Sequence, residues 1–191
     1  TVDQIKTQRS TIVNVMQSVM QKDIHYGVIP GTKKPTIYKP GCEVLLSTFR
    51  ISIEPIVTDM STADEIKYRV ECRGNSMISG SYLGSGIGEC SSSEEKYKWR
   101  KAVCKEEFEA TPEDRRRKKW GKGDKGSYAT EQVRANPSDI ANTVLKMAKK
   151  RGMADFVLTV LAASEVFTQD YEDLPQEIRE SILDDSGSIA T

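Results

Sequence analysis

Apolar positions along this chain recur first with helical and then with strand spacing. From Thr1 to about Lys22, Ile5, Ile12, Met16, Val19 and Met20 keep to one face, which predicts an amphipathic helix. Residues 26–40 change character: Gly27, Pro30, Gly31, Pro35 and Pro40 punctuate a short extended stretch that carries Lys33, Lys34 and Lys39. Gly41 to Phe49 predicts one short helix with Val44, Leu45 and Phe49 inward and Pro40 tolerated at its first turn.

Three strand patterns follow. Ile51, Ile53, Pro55 and Val57 alternate with Ser52, Glu54 and Ile56, and Pro55 directs this strand to a sheet edge. Ile66, Tyr68, Val70 and Cys72 alternate with Lys67, Arg69, Glu71 and Arg73, giving one buried and one charged face. In Ser79 to Glu89, Gly80, Gly84, Gly86 and Gly88 share one parity and leave a face bare, so either something approaches the strand backbone closely there or the strand bends sharply. The short links at 59–64 and 74–76 make the three an antiparallel meander.

Two overlapping S-x-x-E boxes, Ser91 with Glu94 and Ser92 with Glu95, predict a helix that carries Lys96 to roughly Glu109. Thr111 to Arg134 has no period, holds Gly121, Gly123 and Gly126, and reads as a mobile basic loop. Asn136, Pro137 and Asp139 form a start signal for a helix running toward Ala163, with Gly152 as the place for a kink. At 100 degrees per residue, Ile140, Val144, Met147 and Leu158 fall within about 40 degrees of one another, and Lys146, Lys149 and Lys150 form a separate cationic stripe. Arg151 lands inside the apolar stripe, so it must be paired, lie beyond a bend, or reach past the core into a groove. The expected class is α+β: a three-stranded antiparallel β-meander packed on a long helix, a β-β-β-α core, with an N-terminal helix. Residues 1–163 form one core and 164–191 an acidic tail.

Charge alters this picture only when read by segment. Across 191 residues, 28 Lys+Arg balance 28 Asp+Glu, which taken whole speaks against a nucleic-acid binder. Residues 1–163, however, hold 27 basic and 20 acidic side chains, a net of +7, and 164–191 hold 1 and 8, a net of −7. Cys42, Cys72, Cys90 and Cys104 include no C-x-x-C pair, and with the single His25 they fit no common zinc site, so reduced thiols in a cytoplasmic protein are expected. No apolar run approaches the ~18 residues of a membrane span.

Catalytic signals are absent. There is no G-x-S-x-G or P-loop, the glycines at 84, 86 and 88 do not match G-x-G-x-x-G, and His25 reads as a turn residue beside Tyr26. The acid pairs Asp59 with Asp64 and Glu106 with Glu107 offer the one route to a metal-dependent nuclease. No catalytic residue, cofactor or metal is expected. The run Lys96-Tyr97-Lys98-Trp99-Arg100-Lys101 does combine phosphate-tracking cations with aromatic faces on which unpaired bases stack, although on a helix these residues would fan around the axis.

This order of elements, with the helix segment Asn142-Thr-Val-Leu-Lys-Met-Ala-Lys-Lys-Arg151, resembles the core of phage single-strand annealing proteins, the RecT/Redβ/Erf superfamily. The chain is also similar to phage and mobile-element proteins that carry H-Y-G-x-I-P-G-T-x-K-P-T, here His25 to Thr36, K-P-G at Lys39 to Gly41, and T-Q-D at Thr168 to Asp170. It departs from them in having Cys104 alone where many carry cysteine pairs, and Gly152 where alanine is usual. The resemblance implies a core that assembles side by side into rings or filaments, with single-stranded DNA in a basic groove between sheet and helical layer. The expected nucleic-acid contacts are Lys33, Lys34 and Lys39; Lys67, Arg69 and Arg73; Lys96, Lys98, Trp99, Arg100 and Lys101; and Lys146, Lys149, Lys150 and Arg151. The function so implied is non-enzymatic annealing of complementary strands in phage-type homologous recombination and repair, in the host cytoplasm, with a phage exonuclease or single-strand-binding protein as a further partner. The acidic tail would compete for the same groove. The alternatives are a protein-interaction module without nucleic acid and the metal-dependent nuclease.

Overall fold

The fold is described from a computed structural model, which covers residues 1–28, 34–123 and 126–168, with side chains omitted at 122 and 123. Lys33 and the acidic segment from 169 onward lie outside the described residues. Helix α1 (Val2–Ser18) opens on a capping box between Thr1 and Gln4 and buries Ile12. Two short strands, β1 (Tyr26–Gly27) and β2 (Thr36–Ile37), pair antiparallel, and α2 (Lys39–Thr48) follows with Pro40 in its first turn. The chain past the core returns to this pair: Ile37 N–H donates to the Thr168 carbonyl (3.0 Å) and Thr168 N–H to that of Pro35 (2.9 Å).

Strands β3 (Ile51–Asp59), β4 (Lys67–Ser76) and β5 (Tyr82–Ser91) form an antiparallel meander in that order, with Val57 opposite Val70 and Val70 opposite Gly88. The Pro55 strand is an edge, where its missing N–H breaks no ladder. The long helix α5 (Ala141–Val160), entered through a 3-10 turn at Pro137–Ile140, packs on β4 and β5. The bare glycine face is where it does so. A Cβ on Gly86 would stand 2.1 Å from the Phe156 nitrogen, one on Gly88 2.4 Å from the Ala148 carbonyl oxygen, and one on Gly74 2.0 Å from the Phe156 ring. Helix backbone therefore fills the space that side chains would occupy, and Gly80 sits apart in the β4–β5 turn with φ +72. Helix α5 runs unbroken through Gly152, so the residue serves contact rather than a helix break.

The core joins Val70, Cys72 and Cys90 of the sheet to Val144, Ala148, Phe156 and Val157 of α5, then to Cys42 and Leu45 of α2, Ile12 of α1 and Phe167. Helix α5 is thus buried against the sheet along one side and against the N-terminal helices along another. Truncating Phe156, which is fully buried, removes packing of the kind worth about 3–5 kcal/mol.

Between β5 and α5 the structure departs from the sequence reading. The predicted helix from Ser91 to Glu109 is instead one turn, α3 (Glu95–Lys98), a strand, β6 (Trp99–Lys101), and α4 (Lys105–Ala110). Tyr97, Trp99 and Val103 are weak helix formers, and β6 gains a partner strand, so pairing outweighs the capping signal. The segment 111–134, expected as a mobile loop, contains a 3-10 turn at Glu113–Arg115 and then a hairpin, β7 (Arg116–Gly123) with β8 (Gly126–Arg134). It completes a second antiparallel sheet in the order β6-β8-β7. Val133, Phe108 and Ala102 form a small separate core at its base.

Candidate nucleic-acid interface

Strand alternation on β4 turns Lys67, Arg69, Glu71 and Arg73 away from α5. The cations there are matched by acids. Arg69 Nε donates to Glu89 (2.6 Å), Lys67 Nζ reaches the other oxygen of that carboxylate (3.2 Å), and Arg73 binds Glu71 through Nε (3.0 Å) and Nη2 (3.2 Å). These hydrogen bonds hold both carboxyls below the ordinary glutamate range, and both lie open to water. Exposed pairs of this kind contribute little net stability, weak enough for a polyanion to displace the acids. A depression of about 480 Å³ on this face is lined by Glu54, Glu71, Arg73, Asn75 and Tyr82, an acid-rich set that does not favour phosphate.

The run from Glu94 to Lys101 is split by the change from helix to strand. Lys98 pairs with Glu95 (3.7 Å). Arg100 holds Glu107 in a two-point contact, and the Val103 N–H adds a third bond (2.7 Å), which together bring the Glu107 carboxyl down to about 2. Trp99 and Lys101 share one face of β6 and Arg100 takes the other. The Trp99 ring is already occupied: the Arg117 guanidinium lies 4.4 Å from its centroid and that of Arg134 5.1 Å. Neither arginine was among the expected contacts. The basic character of 111–134 pointed to that segment, but without the hairpin register nothing in the sequence sets these two side chains over Trp99.

Arg151 is paired. Its Nη1 and Nη2 donate to the two oxygens of Glu94 (2.6 and 2.8 Å), and Nη1 also to the Glu89 carbonyl (2.5 Å). Burial pushes the Glu94 carboxyl up, the guanidinium outweighs it, and the net shift is downward. Around this pair the fold collects further cations. Lys96 stacks its Nζ 4.7 Å from the Tyr97 centroid, and burial together with the positive charges of Arg151 and Lys150 lowers its pKa. Lys96, Lys150 and Arg151 thus form one patch at the junction of α3 and α5, with Glu94 as its acid. The same burial, reinforced by Glu94, raises the neighbouring Cys90 thiol to about 11.

From this patch the stripe continues along α5. Lys146, Lys149 and Lys150 are exposed and make no ion pair among the described residues. Toward the N-terminal side, Lys34 donates to the Ser164 carbonyl (2.6 Å) and Lys39 pairs with Glu43 one helical turn on. The structure therefore brings together the α3 and α5 cations, while the strand-face cations lie apart on the outer surface of the sheet. A cleft of about 560 Å³ between the two sheets has Lys98, Arg115 and Arg134 in its lining beside Asp64, Glu65 and Asp114. Among the described residues no three His, Cys, Asp or Glu side chains converge as metal ligands, and no helix is long and apolar enough to cross a membrane. Comparison with family models, curated proteins and solved structures finds no match to this chain.

Proposed function

We propose that this protein binds single-stranded DNA without catalysing a reaction and anneals complementary strands, acting as a ring or filament of copies in phage-type recombination. The observation that carries the reading is the patch of Lys96, Lys150 and Arg151, prolonged by the stripe of Lys146 and Lys149, which make no ion pair among the described residues. Cations in a row are what a flexible phosphate backbone requires, since each contact releases condensed counterions and the gain is entropic. The β-β-β-α order and the helix segment Asn142 to Arg151 support the same reading through their resemblance to the annealing proteins, and His25 to Thr36 through its likeness to phage and mobile-element proteins. Capture of phosphates would leave bases facing outward, and a duplex would be released once pairing outweighs the protein contacts. A partner exonuclease or single-strand-binding protein, and action in a host cytoplasm, belong to this proposal.

Fluorescence anisotropy with a labelled oligonucleotide tests it: binding at low salt should weaken steeply as salt rises, and electron microscopy should show rings or filaments. Absence of binding at low salt, or binding indifferent to salt, overturns it. A second reading, a protein-interaction module, is favoured by one observation: Lys67, Arg69 and Arg73 are already paired, the first two sharing Glu89 and the third bound to Glu71. Mass photometry separates the two, because that reading gives complexes whose size does not respond to DNA.

A further inference from the structure

The β7–β8 hairpin stands apart from the stripe just described. Its strands pair over eight rungs, from Arg116 opposite Val133 to Gly123 opposite Gly126, a length of roughly 25 Å. Only its base is anchored. Val133 is its one buried residue among those described, and Arg116 Nη1 ties the base to α4 through the carbonyls of Phe108 (2.7 Å) and Glu109 (2.9 Å). Beyond that the hairpin projects, and residues 126–129 are all exposed.

Two aromatic residues sit on this projecting part, one on each face. Trp120 is 71% exposed and stands opposite Ala129, whose methyl group covers little of the indole. Tyr128 is 49% exposed and stands opposite Gly121, where a Cβ would meet its ring at 2.7 Å. An indole left this open forgoes burial that most tryptophans obtain. Residues 115–134 also hold eight basic and two acidic side chains, a net of +6. Protein interfaces deplete lysine from their cores and surround an aromatic anchor with other apolar groups. This hairpin does the reverse, setting isolated aromatic faces among lysines and arginines, which is the composition that binds unpaired nucleotides.

We infer that the β7–β8 hairpin is a second nucleic-acid contact, an arm on which Trp120 stacks an unpaired base while Lys118, on the same face and exchanging its exposed pair with Glu131 (3.5 Å), draws in the adjoining phosphate. The inference rests on the proposed DNA-binding function and adds to it a site outside the α3–α5 patch. Stacking requires a base face that a duplex keeps covered, so the arm discriminates single from double strands. Binding of Trp120→Ala, Trp120→Phe and Lys149→Ala/Lys150→Ala to an oligothymidylate, and of the wild type and Trp120→Ala to a duplex of equal length, tests this by anisotropy. An unchanged melting temperature should confirm that the exposed substitution leaves the fold intact. Trp120→Ala should weaken single-strand binding about tenfold and leave duplex binding unchanged, and Trp120→Phe should recover most of the loss. If Trp120→Ala binds like the wild type while the double-lysine variant loses affinity, the arm is overturned and the wider reading stands. If Trp120→Ala instead dissociates the assembly in mass photometry with DNA affinity intact, the hairpin contacts another copy of the chain and the inference is likewise overturned. No binding by the wild type overturns both.

Discussion

Gly152 of α5 lies against Gly88 of β5 so closely that a Cβ built on Gly88 would stand 2.3 Å from the Gly152 nitrogen. The approach is mutual, because a Cβ on Gly152 would meet the Val70 carbonyl oxygen at 2.8 Å and Cys72 Sγ at 3.3 Å. Asp155, three residues on, accepts the Ile87 N–H (2.8 Å) and so caps the open edge of β5 from the same helix. Helix and strand are held backbone to backbone, and that contact places Lys150 and Arg151 beside α3.

Gly152→Ala should therefore destabilise the protein although alanine is the better helix former. The propensity gain is about 1 kcal/mol, and overpacking against a backbone oxygen that cannot rotate away costs about 1–3 kcal/mol. Thermal unfolding should show a lower melting temperature. A higher one would mean that α5 can shift outward from β4 at no cost.

Glu94→Gln should remove the charge partner of the Arg151 guanidinium, which is two-thirds withdrawn from water and keeps its bond to the Glu89 carbonyl. The expected loss is about 1–2 kcal/mol, less than for a fully buried pair because both groups keep some solvent. The Glu94 carboxyl is lowered from 4.5 in the folded state. Its contribution is therefore complete above that pH and is lost as pH falls through the depressed value. Denaturant midpoints should drop as pH falls below about 4.5 in the wild type and less steeply in the variant; parallel acid limbs would assign the acid sensitivity to other carboxylates.

The sheet and its helix were legible because each has one apolar parity or stripe. Val70 and Cys72 alternate with charges, and the shared parity of Gly84, Gly86 and Gly88 allows a close approach or a sharp bend, of which the structure shows the approach. The hairpin was not legible for the opposite reason: Arg116 to Lys119 puts a cation on both faces, so no period of two survives, and Trp120, Tyr128 and Val133 signal a strand only once paired. The helix after Ser91 failed because the capping residues have other work. Glu94 does accept the Ser91 N–H (3.2 Å), yet its carboxylate is mostly engaged by Arg151, which lies 57 positions away. At the candidate interface the stripe of Lys146, Lys149 and Lys150 followed from helical periodicity. The neutralisation of Arg69 by Glu89 depended on strand register, which a single sequence does not set.

Lys149→Ala/Lys150→Ala should leave the fold intact, since both side chains are exposed, and should flatten the dependence of single-strand affinity on salt. Every phosphate that the protein no longer neutralises lowers the slope of log K against log salt by about 0.7. Arg69→Ala, which removes a cation already bound to Glu89, should change that slope much less. Equal effects from the two variants would mean that DNA displaces Glu89 and runs across the sheet face as well.

The acidic segment supplies the last test. Residues 164–191 carry a net of −7 against +7 for the preceding chain, and residues 169–191 lie outside the described structure. What the structure gives is the point of departure: Thr168 is held between Pro35 and Ile37, in the same stretch as Lys34 and Lys39. An anionic chain tethered there is present at high effective concentration beside cations that DNA would also seek, and tethered competition of this kind weakens as salt screens it. Deleting residues 171–191 should therefore tighten single-strand binding at low salt, and the gain should shrink as salt rises. Unchanged affinity at every salt concentration would exclude competition for the DNA-binding surface and leave the acidic residues to solubility or to a protein partner.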